Sequence, residues 1–167
     1  MGSKVKKEKD LYPGMCRWLE RHLTSRYGRQ NCKIIVEDSH SVCLGDVLRK
    51  HKIEKFYPQI VGVPIEVDIL GIVAWKNKAK LFFIEAKKTT LNLQNLGQLL
   101  VYCRLCNPEE AYLLSSHGLG SLNKVLNNMG REDILSYGQG KQIKMIKVAK
   151  WDVMRETIDQ HSLVPKI

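Results

Sequence analysis

The chain has no apolar run approaching the ~20 residues that a membrane-spanning helix requires, so no membrane span is expected. Its start, MGSKVKKEKD, lacks the hydrophobic stretch of a signal peptide, and Lys6 is out of place in a myristoylation motif. Cysteine is sparse and odd in number: Cys16, Cys32, Cys43, Cys103 and Cys106. Five scattered thiols do not make a disulfide framework, and they point to a reducing, cytoplasmic setting. Cys103 and Cys106 form a CxxC pair, but zinc or an iron–sulfur cluster would need two more ligands at sensible spacing. Helix-core thiols are therefore their expected role. Acid is also short, with 17 Asp and Glu against 27 Lys and Arg, a formal net charge of +10. That excess favours a polyanionic partner, nucleic acid ahead of an acidic membrane. Internal repeats, low-complexity linkers and zinc-finger-like reading heads are all missing.

What is present suits one folded unit. A length of 167 residues allows one sizeable core and is short for two. Residues 1–10 read as a flexible basic arm and 11–167 as a single domain. From Leu11 to Tyr27 the positions Leu11, Met15, Leu19 and Leu23 recur at helical spacing, with Pro13 in the first turn and Gly28 as the stop. Lys33–Glu37 reads as a strand, Asp38–Gln59 as a connection holding a short helix at Asp46–Lys50. Two strands are expected at about Ile60–Ala74 and Lys80–Lys87, then a helix over Leu91–Cys106 with Leu93, Leu96, Leu100 and Cys103 facing the core. A buried strand follows at Ala111–Ser116. Beyond it, Asn123–Tyr137 reads as helix interrupted near Gly130, Gln142–Lys150 as an edge strand and Trp151–Gln160 as a closing helix. The fold class is α/β, a mixed β-sheet flanked by helices, with residues 117–167 added to a core of about 11–116.

The stretch from Gly62 to Lys88 carries charges where burial is expected. Asp68 lies in the first apolar run; Glu85 and Lys87, two apart, lie at the end of the second. Residues two apart on a strand share a face. If the polar break at Trp75–Lys80 closes an antiparallel hairpin, a turn centred on Asn77–Lys78 sets Lys87 opposite Asp68. A turn centred one residue earlier sets Glu85 there. Either register brings the three side chains together on one face. Converging carboxylates repel unless a cation lies between them, and Mg²⁺ takes such oxygen ligands while keeping water for a phosphate substrate. Lys87 could then hold the attacking water or offset charge on the phosphorus. The competing account is a buried Asp–Lys–Glu ion-pair network.

Asp68 followed by Glu85-Ala86-Lys87 resembles the D…ExK signature of the PD-(D/E)XK nuclease superfamily, with Val67 where the family has proline. Gln98-Leu-Leu-Val-Tyr102 resembles the QxxxY element of its RecB-like branch, and Glu20 corresponds to a first-helix glutamate that reaches the metal in RecB-like and archaeal Holliday-junction-resolvase-like members. The resemblance covers about Leu11 to Ser116. It implies an αβββαβ restriction-endonuclease-like core and a Mg²⁺-dependent deoxyribonuclease, with Mn²⁺ as substitute. Water would attack in line to leave a 5′-phosphate; Asp68, Glu85 and Glu20 would bind metal, Lys87 would assist the nucleophile, and Gln98 and Tyr102 would support the site or face DNA.

Phosphate neutralisation supplies most of the affinity for a nucleic-acid backbone. Arg17 and Arg21 beside Glu20, Lys88 after the ExK strand and Arg104 on the second helix are the candidate phosphate contacts. Endonucleolytic cleavage directed by structure is favoured over recognition of a long site; the DNA could be duplex, single-stranded or branched. Two alternatives stand beside this reading: a Holliday-junction resolvase acting as a homodimer, and a catalytically inactive nucleic-acid-binding module of the same fold.

Overall fold

The computed structural model describes residues 5–166. The first helical stripe is realised as expected: helix α1 (Tyr12–Tyr27) has Pro13 in its first turn and buries Met15, Leu19, Leu23 and Tyr27. It grows out of a 3-10 turn at Glu8–Leu11 and ends before Gly28. Of the expected arm over residues 1–10, positions 1–4 lie outside the described residues. The remainder is turned and tied down. Asp10 accepts from the backbone N–H groups of Lys6 and Lys7 at 3.1 and 2.9 Å, and Lys88 Nζ donates to the Lys6 carbonyl at 3.1 Å.

Strands β1 (Lys33–Asp38), β2 (Ile69–Ala74) and β3 (Ala79–Lys87) form an antiparallel meander. A short helix, α2 (Leu44–Lys50), lies in the long connection between β1 and β2. The β2–β3 turn is closed by Trp75 N–H donating to the Lys78 carbonyl at 2.8 Å. Helix α3 (Leu93–Cys106) then crosses over to β4 (Glu110–Ser115), which runs parallel to β3. Past β4 come a single turn, α4 (Ser121–Asn123), and a small separate hairpin of β5 (Ser136–Tyr137) and β6 (Lys144–Met145). Strands β7 (Lys147–Asp152) and β8 (Thr157–Ile158) return to the main sheet, giving the order β1-β2-β3-β4-β7-β8. No helix among the described residues is long and apolar enough to cross a membrane.

Several expectations need correction. The strand expected from Ile60 begins only at Ile69. Gly62 takes a left-handed φ of +87° and Pro64 has no N–H to offer a ladder, so Gly62–Val67 packs as irregular chain although Ile65 and Val67 are buried. On α3 the core face is Leu96, Leu99, Cys103 and Cys106, while Leu93 is exposed. The helix expected over Asn123–Tyr137 is broken into α4, a π turn at Lys124–Asn128 and a 3-10 turn at Glu132–Leu135. The strand expected over Gln142–Lys150 is divided between β6 and β7, and β7 is interior, between β4 and β8. Trp151–Gln160 is not a helix: Trp151 is buried within β7, and the chain turns through Glu156 at φ +48° into β8.

The sheet is covered on both faces. Leu70, Ile72, Leu81, Phe83, Ala111 and Leu113 pack towards α2 and α3. Ile69, Val73, Phe82, Ile84, Tyr112 and Leu114 pack towards α1. Side-chain alternation therefore assigns every charged residue in β2–β4 to one helix layer or the other.

Candidate active site

The carboxylate pair sits where the β2–β3 ladder ends. The last paired residues are Ile69 and Ile84, and one step further places Asp68 across from Glu85. Of the two registers open to the sequence, the chain adopts the one that opposes the two acids. Past the ladder, side chains take over backbone partnerships. Asp68 N–H donates to Glu85 Oε1 at 3.2 Å, and Ala86 N–H donates to Asp68 Oδ2 at 2.9 Å. Tyr12, at the start of α1, donates its hydroxyl to Asp68 Oδ1 at 2.9 Å. Asp68 is thus held through both oxygens.

Alternation sends Asp68, Glu85 and Lys87 to the same face as Leu70, Leu81 and Phe83, the face covered by α3. There Gln98 and Tyr102, one helical turn apart, close the opposite wall, with Gln98 Nε2 donating to Tyr102 Oη at 3.3 Å. These five residues line one cavity of about 270 Å³, together with His40 and Glu66. It is smaller than the ~300–1,000 Å³ typical of pockets that enclose whole ligands.

Glu85 is only 7% exposed. Its burial, and then the charge of Asp68, push its carboxyl up to about 8, against the pull of Lys87. Lys87 itself lies 3.7 Å from Glu8. Among the described residues neither Asp68 nor Glu85 forms an ion pair with a lysine, arginine or histidine, Lys87 pairing instead with Glu8, and the pair keeps a mutual repulsion that a divalent ion would relieve. Asp68 and Glu85 match the one or two carboxylates with which Mg²⁺ is typically held beside a substrate phosphate. Among the described residues no group of three or more His, Cys, Asp or Glu side chains is placed to hold a metal ion.

Glu20 does not join this cavity. Helix α1 covers the other face of the sheet, and Glu20 is exposed beside Arg17, Arg21, Thr24 and Ser25 in a separate surface depression. Only the N-terminal end of α1 wraps round to Asp68. The acid brought close to Lys87 from that side is Glu8.

The candidate phosphate contacts are also dispersed. Arg17 forms a two-pronged pair with Glu156 at 3.0 and 2.5 Å, and Arg21 donates to the Glu156 carbonyl at 3.3 Å. Arg104 lines a different cavity beside the β5–β6 hairpin. Lys88 follows Lys87 directly, and among the described residues it contacts the neutral Lys6 carbonyl and no carboxylate.

Cys103 and Cys106 are buried free thiols on the core face of α3. Burial pushes Cys106 up to about 12, and Cys103 is shifted upward more strongly still. Such thiols pack as small apolar groups, the role the sequence suggested.

Sequence reasoning passed over Tyr12, Glu8 and His40. Tyr12 and Glu8 carry no local signature, since only the path of the chain round the sheet end brings them to Asp68 and Lys87. His40 did have one, a histidine two residues after the acid that closes β1. A second polar cluster was also missed. Buried Glu110 accepts from His22 at 3.0 Å, Tyr112 at 2.7 Å, Lys147 at 2.6 Å and Arg26. Four partners saturate that carboxylate and make it a structural pin between α1, β4 and β7. Comparison with protein-family models, curated proteins and solved structures gives no match for this chain.

Proposed function

We propose that the chain is a Mg²⁺-dependent DNA nuclease that hydrolyses phosphodiester bonds as an endonuclease. The observation that carries this reading is the opposed pair of Asp68 and Glu85 at the end of the β2–β3 ladder, with Lys87 on the same face. Acids buried against one another raise the free energy of the fold. A site that binds a cation gives a reason for the placement that a structural ion pair does not, because Lys87 is directed to Glu8 as well. The element order α1, a three-stranded antiparallel meander, α3 and a parallel β4 supports a restriction-endonuclease-like core. The net charge of +10 suits a DNA backbone as partner.

In this mechanism Asp68 and Glu85 would hold the ion, and Glu8 approaches Lys87 from the N-terminal side. When bound, the ion supplies positive charge against the phosphoryl oxygens and lowers the pKa of the attacking water. Tyr12 and the Ala86 N–H fix the rotamer of Asp68. Lys87 orients the water and offsets charge that develops at phosphorus. Gln98 and Tyr102 present an amide and a phenol from the opposite wall to the non-bridging oxygens, which fixes the phosphate for in-line attack.

The test is cleavage of supercoiled, single-stranded, flap and four-way-junction DNA with Mg²⁺ or Mn²⁺. Wild type is compared with Asp68→Ala, Glu85→Ala and Lys87→Ala. Wild type is expected to cut at least one substrate, and the alanine variants to lose ~10²-fold or more, the scale of removing one transition-state contact. A wild type that cuts none of them, or acid-site variants that cut equally well, would refute the assignment. Cutting confined to the junction would select the homodimeric resolvase. DNA binding without cutting would select the inactive module.

A further inference from the structure

Among the residues that line the cavity without a role in that mechanism is His40. His40 lies in the turn after β1, on the wall beside Asp68. Its position is fixed from three sides. Asp38 Oδ1 accepts from both the His40 backbone N–H, at 3.1 Å, and ring Nδ1, at 2.5 Å. The His40 ring packs on the ring of Tyr12 with centroids 5.1 Å apart, and Tyr12 is the residue that holds Asp68. The neighbouring Ser39 is buried and ties this turn to the strand entry, its N–H donating to the Asp68 carbonyl at 2.9 Å and its Oγ to the Val67 carbonyl at 2.7 Å.

A carboxylate has no proton to give, so the Asp38 contact requires the hydrogen on Nδ1. That leaves Nε2 as the ring nitrogen with no hydrogen bond among the described residues, on a side chain that lines the cavity. Aspartate, histidine Nδ1 and an unengaged Nε2 form an oriented proton-transfer group, the arrangement that fixes the tautomer of a catalytic imidazole. The other charged groups around the same cavity are Asp68, Glu85, Glu66 and Lys87. Lys87 stands with Glu85 on β3, whereas His40 approaches from the β1 side.

We infer that His40 is the general acid of the reaction, and that Asp38 is its positioning residue; this rests on the nuclease reading of the same site. The bond from the water oxygen to phosphorus forms as the bond from phosphorus to the 3′ oxygen breaks. In the imidazolium form, which carries a hydrogen on each nitrogen, the Nε2 proton passes to that 3′ oxygen, leaving a 3′-hydroxyl, a 5′-phosphate and a neutral ring with its hydrogen on Nδ1. The attacking water's own proton passes to bulk solvent, since an ammonium at Lys87 has no lone pair to take it, and solvent returns one to His40. Nothing is oxidised or reduced. The step matters because an alkoxide is a poor leaving group unless it is protonated as it departs.

The deciding experiment compares an all-oxygen oligonucleotide with one carrying a single 3′-S-phosphorothiolate linkage, both in Mn²⁺. A thiolate departs without a proton, so the sulfur substrate bypasses a general acid. His40→Ala and His40→Gln should cut the oxygen linkage ~10²–10⁴-fold more slowly than wild type, the usual scale of general acid–base catalysis. On the sulfur linkage the deficit should shrink to within about threefold, since that is where proton donation no longer counts. Asp38→Asn should show the same leaving-group dependence in weaker form, which a purely structural role would not produce. An equal deficit on both linkages, or none on the oxygen linkage, overturns the assignment of His40. Asp68→Ala separates the two readings, because it should be inactive on both substrates. If wild type cuts and Asp68→Ala does not, the nuclease reading stands whatever His40 does; if wild type cuts neither substrate, both fall.

Discussion

Glu85 offers a test of the site that needs no substrate. Its carboxyl is held up to about 8 by burial and by Asp68, against an ordinary value of 4.5. A raised carboxyl favours the protonated folded state. The native protein therefore binds more protons than the unfolded chain between pH 4.5 and about 8, and stability falls as pH rises through that window. At ~1.4 kcal/mol per unit, the whole interval corresponds to about 5 kcal/mol, and water entering from the cavity side reduces the expected cost to ~2–4 kcal/mol. Glu85→Gln removes the charge, keeps the shape and retains an oxygen for the Asp68 N–H. In EDTA the variant should match wild type within about 1 kcal/mol at pH 5, and melt ~5–15 °C higher at pH 8.5, given ~2–4 °C per kcal/mol at this chain length. Mg²⁺ should close most of the gap: at a hundredfold excess over Kd a bound ion contributes ~2.7 kcal/mol to wild type and little to the variant. Thermal unfolding at two pH values, with and without Mg²⁺, reads all four cases. A difference between the proteins that is the same at pH 5 and pH 8.5, or a variant that melts lower at pH 8.5, would refute the claim that Glu85 carries an unfavourable buried charge.

Glu110 should behave in the opposite sense. Burial alone would raise its carboxyl, but the hydrogen bonds from His22, Lys147 and Tyr112 outweigh burial and hold it well below the usual carboxylate range. Its stabilisation is therefore present above pH 4.5 and is lost as pH falls through the lowered value. Glu110→Ala should cost ~3 kcal/mol by urea unfolding at pH 7, and less in acid. Gly71→Ala should cost ~1–3 kcal/mol, because a Cβ there would meet Leu19 Cδ2 at 2.9 Å, Leu23 Cδ1 at 3.0 Å and Phe82 Cβ at 3.1 Å. In DNA-binding titrations across salt, Lys88→Ala should reduce the log–log slope by about one. Arg17→Ala should leave that slope unchanged, because Glu156 already engages the guanidinium. Asp68→Ala should unfold ~1–3 kcal/mol more easily than Asp68→Asn in EDTA, the cost of a buried donor left without an acceptor. The Ala86 N–H is that donor.

The legible parts of the chain are those set by one local period. The stripe Met15, Leu19, Leu23 and Tyr27 identifies α1 and its buried face without reference to anything else. The two-residue spacing of Glu85 and Lys87 likewise identifies a shared face. What the pattern of α1 does not contain is which side of the sheet that helix covers. Glu20 matches a metal-reaching glutamate only through the family resemblance, and α1 places it on the other side of the sheet from Asp68. On α3 the apolar residues Leu93, Leu96, Leu99, Leu100, Val101, Cys103, Leu105 and Cys106 run nearly all round the helix, so the period alone does not choose a face. The segment after Ser115 was hardest to read because its form is set by distant partners. Lys147–Lys150 is strand through its pairing with Tyr112–Ser115, and Trp151 and Asp152 are strand through their pairing with Ile158 and Thr157. A local helical pattern there yields to burial of Trp151.

The late start of β2 explains why the two acids can be tolerated at all. In a longer strand, Asp68 would sit within a ladder whose backbone groups are already paired, and its carboxylate would face only apolar neighbours. Gly62 and Pro64 stop the ladder at Ile69, which leaves the N–H groups of Asp68 and Ala86 in need of acceptors. Those acceptors are the two carboxylates themselves, Glu85 for Asp68 and Asp68 for Ala86. The Asp68 carbonyl is taken by Ser39, and through Ser39 the turn that carries His40 is anchored to the same point. Each acid therefore offsets part of its desolvation by replacing a strand partner, but these bonds leave Glu85 with no net counter-charge. The end of the ladder is thus the place in the sheet where two carboxylates can be rigidly placed and yet remain short of a cation. The same hydrogen bonds that make the fold tolerate them keep them aimed into the cavity.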